Sequence, residues 1–128
     1  MKIEHVAIWS PDIEKLKTFY VTYFGAVSND RYQNNKTGFT SYFLTFKEGA
    51  RLEIMHKKTI LSAKQPNEEH LGYAHVAMSV GTKSEVTRLT NQLRDNGYRI
   101  VGEPRTTGDG YFESVILDPD GNRIEITC

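Results

Sequence analysis

Four residues have the types and spacing to bind a metal ion. His5-Val6-Ala7, set in an apolar stretch, returns as His75-Val76-Ala77, and Leu52-Glu53-Ile54 returns as Ile124-Glu125-Ile126. Each half of the chain therefore carries one imidazole early and one carboxylate late. Two imidazole nitrogens and two carboxylate oxygens, with no thiolate, form a donor set for one divalent cation: Zn, Ni, Co, Fe or Mn. Donor type alone does not choose among them. Electrostatics points the same way. Two glutamates brought together and partly desolvated repel, so one must hold a proton unless a counterion is present. Four protein ligands on a six-coordinate ion leave two positions for water or for adjacent oxygens of a substrate. Taken singly these residues are ordinary, since a lone strand histidine or glutamate is usually a solvated surface group. Their joint recurrence is the signal. His56 and His70 have no such counterparts and are assigned no role.

The elements that must position these groups follow from hydrophobic patterning. Apolar alternation with β-branched and aromatic residues predicts strands at about 2–9, 39–46, 50–56, 73–80, 112–117 and 122–127, with weaker signals near 26–33 and 98–103. A first helix is expected from Ser10-Pro11-Asp12, with Ser10 as cap and Pro11 at the first helical position, to Gly25. A second opens on the capping box Thr82-Lys83-Ser84-Glu85 and ends at Asn96-Gly97. Gly49 and Asp118-Pro119-Asp120-Gly121 mark hairpin turns. The order is βαβββ, written twice. The predicted class is thus α+β: a single domain over residues 1–128, with modules 1–56 and 72–128 joined by a connector at 57–71. Pro66, Asn67 and several charges mark that connector as an exposed loop, long enough to suggest a lid or interface role.

Alternation also says where side chains point. His5, Ala7 and Trp9 share one face against Val6 and Ile8; His75 and Ala77 oppose Val76 and Met78. Arg51, Glu53 and Met55 oppose Leu52 and Ile54, and Arg123, Glu125 and Thr127 oppose Ile124 and Ile126. The aliphatic faces are what helices would cover. The ionisable faces predict cupped mixed sheets with helices outside and a partly polar cleft within. Trp9, Phe43, Met55 and Tyr111 are candidate pocket walls, and Arg51, Lys57, Arg105 and Arg123 candidate anion contacts. The glycine-rich run Thr107–Tyr111 precedes a strand rather than a helix, so it lacks a phosphate loop's context; it reads as a mobile loop near the site.

Bulk properties bound the function. The chain has 128 residues, 25% of them charged, and zero formal net charge. Balanced charge offers no attraction for nucleic acid or anionic membrane. No apolar run reaches the roughly 20 residues of a bilayer span, and the opening MKIEHVAIW is a strand rather than a signal peptide, so a cytoplasmic location is expected. The single cysteine, Cys128, has no partner for an intrachain disulfide and is read as incidental.

With these residues in view, the whole chain resembles the vicinal oxygen chelate superfamily, which holds glyoxalase I, thiol transferases, extradiol dioxygenases and bleomycin-binding proteins. The closing DPDGNRIEIT is a recurrent signature of that group. Within it the pattern is most similar to glyoxalase I (lactoylglutathione lyase), whose His, Glu, His and Glu positions are held here by His5, Glu53, His75 and Glu125. The resemblance implies a metal-dependent lyase or isomerase acting on a small oxygenated substrate, such as a hemithioacetal, through an enediolate. It further implies Glu125 as proton-transferring base, with Glu53 holding the ion or serving the opposite stereochemistry, and a homodimer whose sites are shared between chains. Trp9 and Lys57 depart from the usual arginine and asparagine, which points away from glutathione. Two alternatives stay open: a metal-dependent thiol transferase or dioxygenase, and a metal-free protein binding a drug or metabolite.

Overall fold

The computed structural model describes residues 1–60 and 72–128; His70, Pro66, Asn67 and most of the expected connector lie outside them. The chain divides into two compact units, Met1–Ala63 and Lys64–Cys128. Each is a mixed sheet with one helix, so the class is α+β, as patterning predicts. No helix among the described residues is long and apolar enough to cross a membrane.

In the first unit the order is β1 (His5–Trp9), α1 (Ile13–Phe24), β2 (Val27–Ser28), β3 (Tyr32–Asn34), β4 (Phe39–Thr45) and β5 (Arg51–His56). The strands lie in the order β1-β5-β4-β2, with β3 also on β4; β1 and β5 run parallel and the other pairs antiparallel. Ile13, Leu16, Phe19 and Tyr20 of α1 are buried with Leu44, Leu52 and Ile54 of the sheet. Each fully buried side chain of this size contributes about 1.5–3 kcal/mol. A hydrogen bond from Tyr42 Oη to Glu14 Oε1 at 2.7 Å adds a polar tie between sheet and helix.

The helix starts later than the sequence suggests. Asp12, not Ser10, is the cap, and its Oδ1 accepts from the backbone N–H of Glu14 and Lys15. Ser10 is instead bound into the strand: its N–H donates to the Met55 carbonyl at 2.8 Å, prolonging the β1–β5 ladder. Its hydroxyl accepts from Asp12 N–H. Gly25 closes the helix with φ 64°, the left-handed conformation that favours glycine. The weak strand near 26–33 is two short pieces, because Asn29 breaks it. The Asn29 side-chain oxygen takes the Phe43 N–H at 2.8 Å, and its own N–H donates to the Phe43 carbonyl.

The second unit repeats the plan: β6 (Val76–Ser79), α2 (Lys83–Asp95), β7 (Ile100–Thr106), β8 (Phe112–Leu117) and β9 (Arg123–Thr127). The strand order is β6-β9-β8-β7, again with the first strand parallel to the last. Thr82 caps α2 as predicted, accepting from Glu85 N–H at 3.2 Å. Val86, Leu89 and Leu93 of α2 are buried, as are Ile116, Ile124 and Ile126 of the sheet. Strand β7 runs longer than expected but slips register twice against β8, between Ile100 and Gly102 and again between Gly102 and Arg105. Pro104, which has no N–H to donate, lies in the second slip. The Thr107–Tyr111 run closes the β7–β8 hairpin as a hydrogen-bonded turn: Thr107 N–H donates to the Tyr111 carbonyl at 2.8 Å, and Gly110 N–H to that of Thr107.

Candidate functional site

The first unit carries its chemistry on the sheet face away from α1. Strand register puts Ala7, Glu53 and Phe43 in one rank, and Trp9, Met55 and Ser41 in the next. The small Ala7 leaves room above Glu53, and His5 approaches along the strand with Nε2 3.8 Å from Glu53 Oε2. The glutamate side chain is 15% exposed, so its carboxylate is largely drawn out of solvent. The other ring nitrogen of His5, Nδ1, bonds to the Glu4 carboxylate. Arg51, in register with His5, binds Glu4 as well, through Nε at 2.8 Å and through Nη2. Hydrogen bonds from His5 and then Arg51 hold the Glu4 carboxyl below the ordinary range. The Arg51 guanidinium also lies 4.2 Å over the Phe43 ring, to which the His5 ring stands nearly perpendicular, centroids 5.4 Å apart.

The second unit repeats the imidazole–carboxylate pairing at closer range. Ala77, Glu125 and Val115 share a rank, and His75 Nε2 lies 3.1 Å from Glu125 Oε2, with the glutamate 18% exposed. One neighbour has no sequence-based forecast. Glu113, in register with Thr127 on β9, lies on the same sheet face as Glu125, one rank along β8 from its partner Val115. Burial first, and then the neighbouring Glu125 carboxyl, push the Glu113 carboxyl above the ordinary value, against the pull of Arg105. Arg105 Nη2 is 4.0 Å from Glu113 Oε1, so this candidate anion contact already has an acidic neighbour.

The predicted wall residues distribute as follows. Trp9, Phe43 and Met55 lie on the same face as Glu53 by register. Tyr111 is 57% exposed at the β7–β8 turn. Lys57 is exposed just past β5, and Arg123 lies on the Glu125 face. Phe39 and Tyr32 extend the aromatic surface beyond Trp9, with ring centroids 6.1 Å and 6.0 Å apart along the series; alternation along β4 carries the signal for Phe39. His56, set aside in the sequence, meets the Ser10 carbonyl through Nδ1 at 2.9 Å. Among the described residues no group of three or more His, Cys, Asp or Glu side chains is gathered as a cation cage. What the structure brings together is a His–Glu pair in each unit. Nitrogen plus carboxylate oxygen is a donor chemistry that fits a divalent transition metal or zinc.

Two mixed βαβββ-type units with a paired imidazole and carboxylate in each define a class. The chain belongs to the Glyoxalase/Bleomycin resistance protein/Dioxygenase superfamily, whose model matches residues 2–126. Among its relatives is the uncharacterized protein YqjT of Bacillus subtilis (strain 168), 23% identical over 129 residues, with 98% of each chain covered. The fold is similar to that of the trypanothione-dependent glyoxalase I of Leishmania major (TM-score 0.79, 23% identity, 99% of this chain and 86% of that one). It is also similar to a glyoxalase family protein from Enterococcus faecalis (TM-score 0.79, 24% identity, 99% and 97%). Glyoxalase I of Zea mays matches at TM-score 0.78 and 19% identity, with this chain spanning 44% of that one.

Proposed function

We propose that the chain is a metal-dependent lyase or isomerase of glyoxalase type acting on a small oxygenated substrate. One observation supports it above the others: the same imidazole–carboxylate pairing occurs twice, at corresponding positions of two repeated units. In this reading His5, Glu53, His75 and Glu125 hold the ion, from one chain or from two chains of a homodimer. A bound divalent cation supplies electrophilic stabilisation of an oxyanion developing on the substrate. Glu125 takes the carbon-bound proton and returns it to the adjacent carbon, with Glu113 as its acidic neighbour on the same face. His5 and His75 act as neutral nitrogen donors throughout. Trp9, Phe43, Met55 and Tyr111 wall the substrate, and Arg123 and Lys57 meet its anionic groups; Arg51 is already engaged by Glu4.

The test is elemental analysis of protein purified without chelator, followed by methylglyoxal assays with several thiols across Zn, Ni, Co, Fe and Mn. The expected result is stoichiometric metal and thiol-dependent turnover. Metal below about 0.2 equivalents per site, with none taken up on titration of such a pH-dependent site, would refute the proposal. It would favour a metal-free binding protein, a reading to which the Trp9–Phe39–Tyr32 aromatic series lends support.

A further inference from the structure

We propose that Glu4 is a positioning residue that sets the tautomer of His5, with Arg51 as its anchor. The proposal rests on the metal-dependent reading above and adds a residue to it. An ionised carboxylate has no proton to give, so the contact between Glu4 Oε2 and His5 Nδ1 requires the proton to sit on Nδ1. The lone pair of the neutral ring is then on Nε2, the nitrogen that faces Glu53. At 3.8 Å that nitrogen is beyond hydrogen-bond reach of Glu53, whereas Nδ1 is within reach of Glu4, so Glu4 has the stronger claim on the ring proton. The ring is left with a free donor pair beside a carboxylate, the form in which a cation can be bound.

Glu4 is fixed more firmly than an exposed glutamate usually is. Its carbonyl accepts from Arg51 N–H at 3.0 Å, and its Oε1 accepts from the Arg51 guanidinium. That guanidinium is held over Phe43, whose ring also packs perpendicular to that of His5. The four residues form a closed ring of contacts with the imidazole as one member. A carboxylate on the outer nitrogen of a ligating histidine typically changes metal affinity by about 10–100-fold. In the second unit the residue before the histidine is Ala74, which has no carboxylate to offer, so His75 is an internal control.

The test combines long-range proton–nitrogen spectra of the histidine rings in cation-free protein with calorimetric titration of Zn²⁺ alone. Wild-type His5 is expected in the Nδ1–H form. Glu4→Ala is expected to shift it toward Nε2–H, leave the His75 signals in place and weaken Zn²⁺ binding roughly tenfold or more. Glu4→Gln, whose side-chain oxygen still accepts from Nδ1–H, is expected to keep the Nδ1–H form and restore most of the affinity. An Nε2–H wild-type ring, or a Glu4→Ala protein with unchanged tautomer and affinity, would overturn the proposal. His5→Ala binding Zn²⁺ as tightly as wild type would overturn the ligand set of the metal-dependent reading while the tautomer shift in Glu4→Ala persists, so the two failures are distinguishable.

Discussion

The buried contact between α2 and β8 makes a quantitative test of how the second unit is held together. Thr90 Oγ1 donates to the Val86 carbonyl at 2.6 Å and lies 2.7 Å from Ser114 Oγ. Both side chains are buried, at 0% and 1% exposure. The single Thr90 proton is committed to Val86, so Ser114 must be the donor in the second bond. Thr90→Val keeps the shape but removes the acceptor, stranding a buried hydroxyl at a cost of about 1–3 kcal/mol. Ser114→Ala removes the donor while the Thr90 proton stays bonded, so its cost is about 0.5–1.5 kcal/mol. The double variant strands nothing, so it should be more stable than the sum of the single losses predicts, by about 1 kcal/mol of coupling. Urea unfolding followed by far-ultraviolet circular dichroism, with unchanged slope, measures each value. Strict additivity would refute the bond, and a Ser114→Ala loss larger than that of Thr90→Val would refute its assigned direction.

Three further outcomes are expected. Glu125→Gln should lower turnover about a hundredfold or more while metal content by elemental analysis stays near wild type; full turnover would remove Glu125 from proton transfer. Glu14 is held below its ordinary value of 4.5 by hydrogen bonds from Lys17 and then Tyr42. Its folded value is thus lower than its unfolded one, and the stabilisation is complete above the unfolded value and lost as pH falls through the folded one. Glu14→Gln should therefore be less stable near neutrality, by about 0.5 kcal/mol for so exposed a group, with the gap closing in acid; a gap that widens in acid unfolding would contradict this. Asp12→Ala should cost about 1 kcal/mol and Asp12→Asn much less, read from thermal unfolding.

What the sequence reveals depends on which force decides the matter. Period-two alternation is written into β1, β5, β6 and β9, where one face must be buried, so the facing of His5, Glu53 and Glu125 is legible from the order of residue types alone. The α1 start is not, because Ser10, Pro11 and Asp12 together make two competing caps. Register with Met55 draws Ser10 into the ladder and leaves the helix to Asp12. Asn29 is a similar case, since only the fold shows its side chain completing the ladder beside Phe43. Glu113 was legible in principle. The Asp118–Gly121 turn implies a hairpin, and alternation along Phe112–Leu117 sends Glu113 and Val115 away from Ser114 and Ile116. Glu4 was not, because its parity directs it away from His5, and only the Arg51 contacts bring its carboxylate back to Nδ1.

The strand orders β1-β5-β4-β2 and β6-β9-β8-β7 have a consequence for how a ligand set would come apart. Among the described residues, the strand at or beside the histidine is the last in the row of each sheet, hydrogen-bonded on one side, whereas the glutamate strand is flanked on both. Outer strands fray before inner ones. Amides of β1 and β6 should exchange with solvent faster than those of β5 and β9. An ion held by both kinds of strand would lose its nitrogen donors first and its carboxylate oxygens last.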